Sequence, residues 1–134
     1  MYFRKSAPKN RKGAATVELA VCLPVIAIIV MGSLSATSMI FLRTAVVQSA
    51  YEAIREAVKT DGDVPLALQR AESVLSFRSI TPESITFSPA NVADQEPGTP
   101  ITVTVVANSS NNSLFQFGPF RGQRIEVRSV MLKE

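Results

Sequence analysis

The first pattern along the chain is a long uncharged stretch. From Leu19 to Leu42 there is no formal charge, and the run is bounded by Glu18 and Arg43. Leu19–Met31 is apolar except for Pro24, and Met39–Leu42 resumes the run after a patch of Gly32, Ser33, Ser35, Thr37 and Ser38. About 20 helical residues at ~1.5 Å each cross a bilayer core, so the segment is long enough to span one. Pro24 removes one backbone hydrogen bond and predicts a kink, which membrane helices tolerate when neighbours satisfy the freed carbonyl. Beyond Arg43, Val47, Tyr51, Ile54 and Val58 recur at helical spacing with Ala50 and Ala57 beside them. Arg43, Gln48, Glu52, Arg55, Glu56 and Lys59 fall on the other faces, an amphipathic pattern. Nothing between Thr44 and Lys59 breaks a helix. The helix is therefore expected to run from Ala14 to about Thr60, on the order of 70 Å.

Asp61-Gly62-Asp63 predicts the stop, with Gly62 as terminator and Asp63 capping the next helix. Two carboxylates without further oxygen ligands are insufficient for a metal site. Val64–Phe77 predicts a second helix with Leu66, Ala67, Ala71, Val74 and Leu75 on one side. Strands are expected at Ser84–Ser88, at Ile101–Ala107 and at Arg124–Leu132. The second places Ile101, Val103, Val105 and Ala107 on one face, and the third sets Ile125, Val127 and Met131 against Arg124, Glu126 and Arg128. Asn91–Pro100 and Asn108–Arg121 read as loops. Phe115, Phe117 and Phe120 in the second loop are expected to close over a small core, with an exposed contact patch as the alternative. The fold class is α+β: a long amino-terminal transmembrane helix continuing into a small domain with a second helix and an antiparallel sheet. The part from 61 to 134 is marginal for a core of its own, so the outer half of the long helix is expected to supply apolar surface.

Composition narrows the function. The chain has 134 residues, 46% hydrophobic and 19% charged, enough for one small domain and too apolar for a disordered tail. There is no His, and the one Cys excludes an intramolecular disulfide and a thiolate zinc site. Cys22 reads as a lipid- or helix-facing packing residue of the spanning helix. Scattered Glu and Ser residues form no catalytic constellation, so no enzyme and no cofactor are expected. The net charge of +3 is unevenly distributed. Arg4, Lys5, Lys9, Arg11 and Lys12 crowd the first twelve residues without an acid, and the remaining 9 basic and 11 acidic residues sum to −2. A basic block next to an apolar segment reads as a cytoplasmic flank, which orients the amino terminus inward. Nucleic acid is not the expected partner.

The junction itself carries the sharpest signal. After Arg11-Lys12 come Gly13, Ala14-Ala15-Thr16-Val17 and Glu18, then the apolar run. This arrangement resembles a prepilin peptidase site. Gly13 offers no side chain to obstruct a protease and weakens helix continuity at the cut. Cleavage after it would place a cationic amine on Ala14, one helical turn from Glu18, and a carboxylate entering a bilayer needs such a partner. The alternatives are an interfacial Glu18 without that role, a secretory signal peptide cut after Ser33-Leu34-Ser35, and a lipoprotein signal at Cys22. Glu18 and the continuing helical pattern stand against the second, and bulky Val21 against the third.

Residues 11–24, Arg-Lys-Gly-Ala-Ala-Thr-Val-Glu-Leu-Ala-Val-Cys-Leu-Pro, resemble the start of TadE-like proteins, minor pseudopilins of the Tad pilus and secretion system in the type IV pilin superfamily. Leu23-Pro24 matches the family's pair, and Phe41–Ala45 and Ala53–Ala57 resemble its helical continuation. Ser33–Thr37 stands where members often carry an acidic or aromatic cluster, and residues 61–134 show no nameable resemblance. The resemblance implies a basic leader at 1–13, a transmembrane helix at 14–42, an extracytoplasmic continuation at 43–60 and a small extracytoplasmic domain at 61–134. It implies Gly13 and Ala14 as the processing site and Glu18 as the residue that orients subunits during assembly. It also implies, as partners, inner-membrane lipid, prepilin peptidase, other pilin-like subunits and the assembly platform. The alternative is an unprocessed or signal-peptide-bearing envelope protein displaying a small ligand- or partner-binding domain.

Overall fold

The computed structural model describes residues 12–112 and 122–134. Helix α1 spans Lys12–Ala57 (46 residues), with Pro24 inside it, and α2 spans Val64–Phe77. Strands β1 (Ser84–Ser88), β2 (Pro100–Asn108) and β3 (Arg124–Leu132) form an antiparallel sheet in the order β1-β2-β3, and a short helix α3 (Ser109–Asn112) follows β2. The layout is α+β, as the hydrophobic pattern predicts. Phe115, Phe117 and Phe120, and the basic residues Arg4, Lys5, Lys9 and Arg11, lie outside the described residues.

Period-2 alternation sets the register of the sheet. Ile85 pairs with Val105 and Val105 with Val127, Phe87 pairs with Val103, and Ile101 pairs with Met131. Ile101, Val103, Val105 and Ala107 of the central strand are fully buried. This inner face packs on α1, which also contacts α2. The outer half of α1 is therefore covered by two layers, and its buried positions form a broad band: Leu42, Ala45, Val46, Ser49, Ala50, Ala53, Ile54, Ala57 and Val58. Alanines dominate the band because two neighbours must approach closely at once. The stripe through Val47 and Tyr51 is a correction to the sequence reading: both residues are about half exposed (45% and 49%), whereas Ile54 and Val58 are buried. A pattern weighted by side-chain size marks the large residues, while close approach selects the small ones.

The stop after α1 is steric. Gly62 is buried, and a Cβ there would collide with the carbonyl of Ala57 and sit 2.8 Å from the oxygen of Lys59. Its N–H donates to the Lys59 carbonyl at 2.8 Å. Asp63 occupies the N-cap position of α2, but its side chain makes no capping bond, contrary to expectation. Pro65 explains this, since it lacks an N–H and already holds a helical φ, leaving fewer donors to cap. Within α2, Ala67, Ala71 and Leu75 are buried, Val74 is half-buried, and Leu66 is turned outward, against the expected grouping.

Three polar ties close the domain. The Lys133 side chain is buried and donates to the carbonyls of Val92 (2.6 Å) and Ala93 (2.8 Å), holding the loop between β1 and β2. The Glu134 N–H donates to the Val58 carbonyl, fastening the chain end to the top of α1. Asn112 exchanges hydrogen bonds with the backbone of Thr81 in both directions.

Candidate functional site

The candidate site is the amino-terminal half of α1, and its geometry follows from what the small domain leaves uncovered. From Gly13 to Met31 every residue is exposed, and the large apolar side chains of Val17, Leu19, Val21, Leu23, Val25, Ile26, Ile28 and Ile29 stand more than half open. Burial first appears at Ser35 and becomes regular from Leu42. The bare stretch from Gly13 to Met31 is about 28 Å long at ~1.5 Å per residue, which fits a hydrocarbon core of ~30 Å. Its most apolar 18-residue window has a mean hydropathy of 2.4, with none of that window buried. Such a surface in water would be a severe aggregation liability, so the segment is built for an apolar surrounding.

The hydroxyl patch within the helix is compatible with that surrounding. Ser33 donates to the Ile29 carbonyl (2.8 Å), Thr37 to Ser33 (2.9 Å), Ser38 to Leu34 (3.0 Å) and Thr44 to Ile40 (2.9 Å). Each hydroxyl is satisfied inside its own helix, which lowers the cost of placing it near lipid. Gly32 and Ala36 are half-buried and Ser35 is buried, so this small-residue surface lies where the domain begins to cover the helix.

Gly13, Ala14 and Glu18 are all exposed on the first turns of α1. Gly13 lies within α1, the described course of which begins at Lys12. A Cβ on Gly13 would meet nothing within 4 Å, which means the fold itself places no demand for glycine here. Glu18 lies four residues past Ala14, one turn along the same helical face. Cys22 is a free, exposed thiol on the bare half of the helix. Pro24 also sits on the bare half, with its missing N–H among exposed neighbours.

Of two polar features of the outer half, the first joins distant segments and carries no signal in the linear pattern, and the second is a local pair three residues apart. Arg78, just past α2, donates to the Gln48 side chain at 2.6 Å and lies over the Phe41 ring with its guanidinium carbon 5.3 Å from the centroid. Glu56 bonds to Lys59 at 2.6 Å. That hydrogen bond holds the Glu56 carboxyl below its ordinary 4.5, helped by the charges of Lys59, Arg70 and Arg55 and opposed by partial loss of water. Asp61 and Asp63 belong to no cluster of three or more metal-ligating side chains among the described residues.

No curated protein and no solved structure matches this chain significantly. A family-model match falls on α1, covering the bare half and the outer half down to Arg55 while leaving α2 and the sheet outside it. Residues 13–55 match the family model for TadE-like protein, a similarity that lies within the long amino-terminal helix.

Proposed function

We propose that the chain is a membrane-anchored TadE-like pseudopilin, a minor structural or assembly subunit of a Tad-type pilus or secretion apparatus. In this reading prepilin peptidase cuts after Gly13, and Glu18 orients the subunit among its neighbours. The bare half of α1 is the anchor in the bacterial inner membrane, with the basic leader in the cytoplasm and the small domain on the far side. The observation that carries the reading is the coincidence of three things on one helix. The TadE-like match runs along α1 from residue 13 to residue 55, the first half of that same helix is bare and apolar, and Glu18 is the one acid between Gly13 and Arg43. A carboxylate at the edge of a bilayer is costly without a cation, and the amine freed on Ala14 would supply one. The unbroken course of α1 through Ser33-Leu34-Ser35, with Ser35 buried, favours an anchor that is retained over a signal peptide cut there.

The test is the mass of the mature protein isolated from membranes of its native host. The expected amino terminus is Ala14, and Gly13→Leu is expected to leave the leader attached. A terminus at Ala36 would sink the proposal, and an intact leader in the unmodified chain would reduce it to a plain membrane anchor. For Glu18→Ala, membrane insertion is expected to survive while incorporation into an assembly is lost; normal incorporation would show the carboxylate to be incidental.

A further inference from the structure

Where α1 enters the domain, a collar of side chains surrounds it. Phe77 ends α2 with 92% of its surface exposed, far more than a phenylalanine needs for any role in the core. Ile40 (68%) and Phe41 (52%) of α1 are open at the same end. The height is set by two clefts. Residues 78–80 and Asn112 face Thr37, Ser38, Phe41 and Leu42 across one, and Arg124 faces Met39, Ile40 and Arg43 across the other. The base of the domain thus reaches down to the stretch of helix just above the bare segment. Among the described residues Arg43 and Arg78 form no salt bridge, although Arg78 donates to Gln48, whereas Arg124 is paired with Glu83 at 3.6 Å and Glu126, which lines the cleft with Arg43, is paired with Arg128 at 3.7 Å. Apolar rings and two guanidiniums that form no salt bridge among the described residues adjoin the end of a bilayer-length apolar helix.

We propose that this collar is a lipid-contact surface. Phe77 sits among the headgroups and upper acyl chains, and Arg43 and Arg78 lie at the level of anionic phospholipid phosphates. The inference rests on the membrane reading of α1. Its support is the continuity of the patch with the bare segment and the match of charge, since interfacial aromatics and cations near a bilayer favour anionic headgroups. The Phe41–Arg78 stack holds the guanidinium at the base, so it is presented to lipid without a further ordering cost. The contact fixes how far the domain stands above the bilayer and limits its tilt.

The chain contains no Trp, so one introduced Trp reports its own surroundings. The experiment uses the full chain in nanodiscs containing phosphatidylglycerol, with brominated lipid as quencher, in three variants: Val25→Trp, Phe77→Trp and Leu66→Trp. Leu66 is an exposed residue at the other end of α2. Quenching is expected for Trp at 25 and at 77 and not at 66. Arg43→Gln with Arg78→Gln, or replacement of the anionic lipid by phosphatidylcholine, is expected to lower quenching at 77 by ~two-fold while leaving position 25 unchanged. Quenching at 25 without quenching at 77 overturns the collar proposal and leaves the anchor intact. An absence of quenching at 25 overturns both. Emission at 77 that shifts to the blue with protein-to-lipid ratio but stays unquenched assigns the patch to a second protein copy and also overturns the proposal.

Discussion

Gly62 shows how one residue shapes the chain path. The turn from α1 to α2 brings its Cα so close to the Ala57 carbonyl that no side chain fits. Gly62→Ala must move backbone atoms, and a loss of about 1–3 kcal/mol is expected in denaturant unfolding, as for overpacked core sites. An unchanged midpoint would mean that the turn is soft. Glu56 gives a pH signature at the same scale. Its carboxyl is held below the ordinary range in the folded state, chiefly by the Lys59 hydrogen bond. The pair therefore adds stability above the unfolded carboxylate pKa, and that contribution disappears as pH falls through the lowered folded value. The difference in melting temperature between the wild type and Glu56→Gln is expected to be present at neutral pH and to vanish in acid. A difference that persists unchanged in acid would assign the effect to packing.

At the level of elements, α1 is one helix in two environments. Its outer half lies between α2 and the sheet, and the small side chains there set the distance between layers. Ala71 of α2 is fully buried, and its carbonyl accepts a hydrogen bond from the buried Ser49 of α1 at 3.1 Å. Ala71→Leu is expected to cost about 1–3 kcal/mol by forcing the helices apart. The larger and more obviously hydrophobic Tyr51 is half exposed, and Tyr51→Ser is expected to change stability by no more than ~0.5 kcal/mol, the range of ordinary surface sites. Thermal or urea melts of the two variants check the ordering. A reversed order would return the packing stripe to the Val47–Tyr51 face.

For the molecule as a whole, burial divides the chain sharply. Every buried side chain among the described residues belongs to position 35 or later, so the bare helix contributes nothing to the core. A chain beginning at Ser35 is expected to melt cooperatively in circular dichroism, whereas one beginning at Asp61 is expected to lack a cooperative transition, because α1 supplies one wall of the core. Cooperative melting of the shorter chain would refute that division of labour. Much of this was legible in the sequence, because it depends on local periodicity and steric rules. The uncharged run, the Asp61-Gly62-Asp63 stop, the limits of α2, β1 and β3, the inner face of β2 and the TadE-like junction all lie in consecutive residues. What the sequence could not reveal depends on contacts between distant segments. Burial of the alanine band while Val47 and Tyr51 face outward was decided by the arrival of two layers against α1. The tie from Lys133 to the Val92 and Ala93 carbonyls, and the seat of Arg78 on Phe41 and Gln48, exist only once segments 30 to 41 residues apart meet. The sequence alone determined that a bilayer-length apolar helix heads an α+β domain. Tertiary structure decided which face of that helix is core, because burial depends on what packs against a residue as well as on its own hydrophobicity.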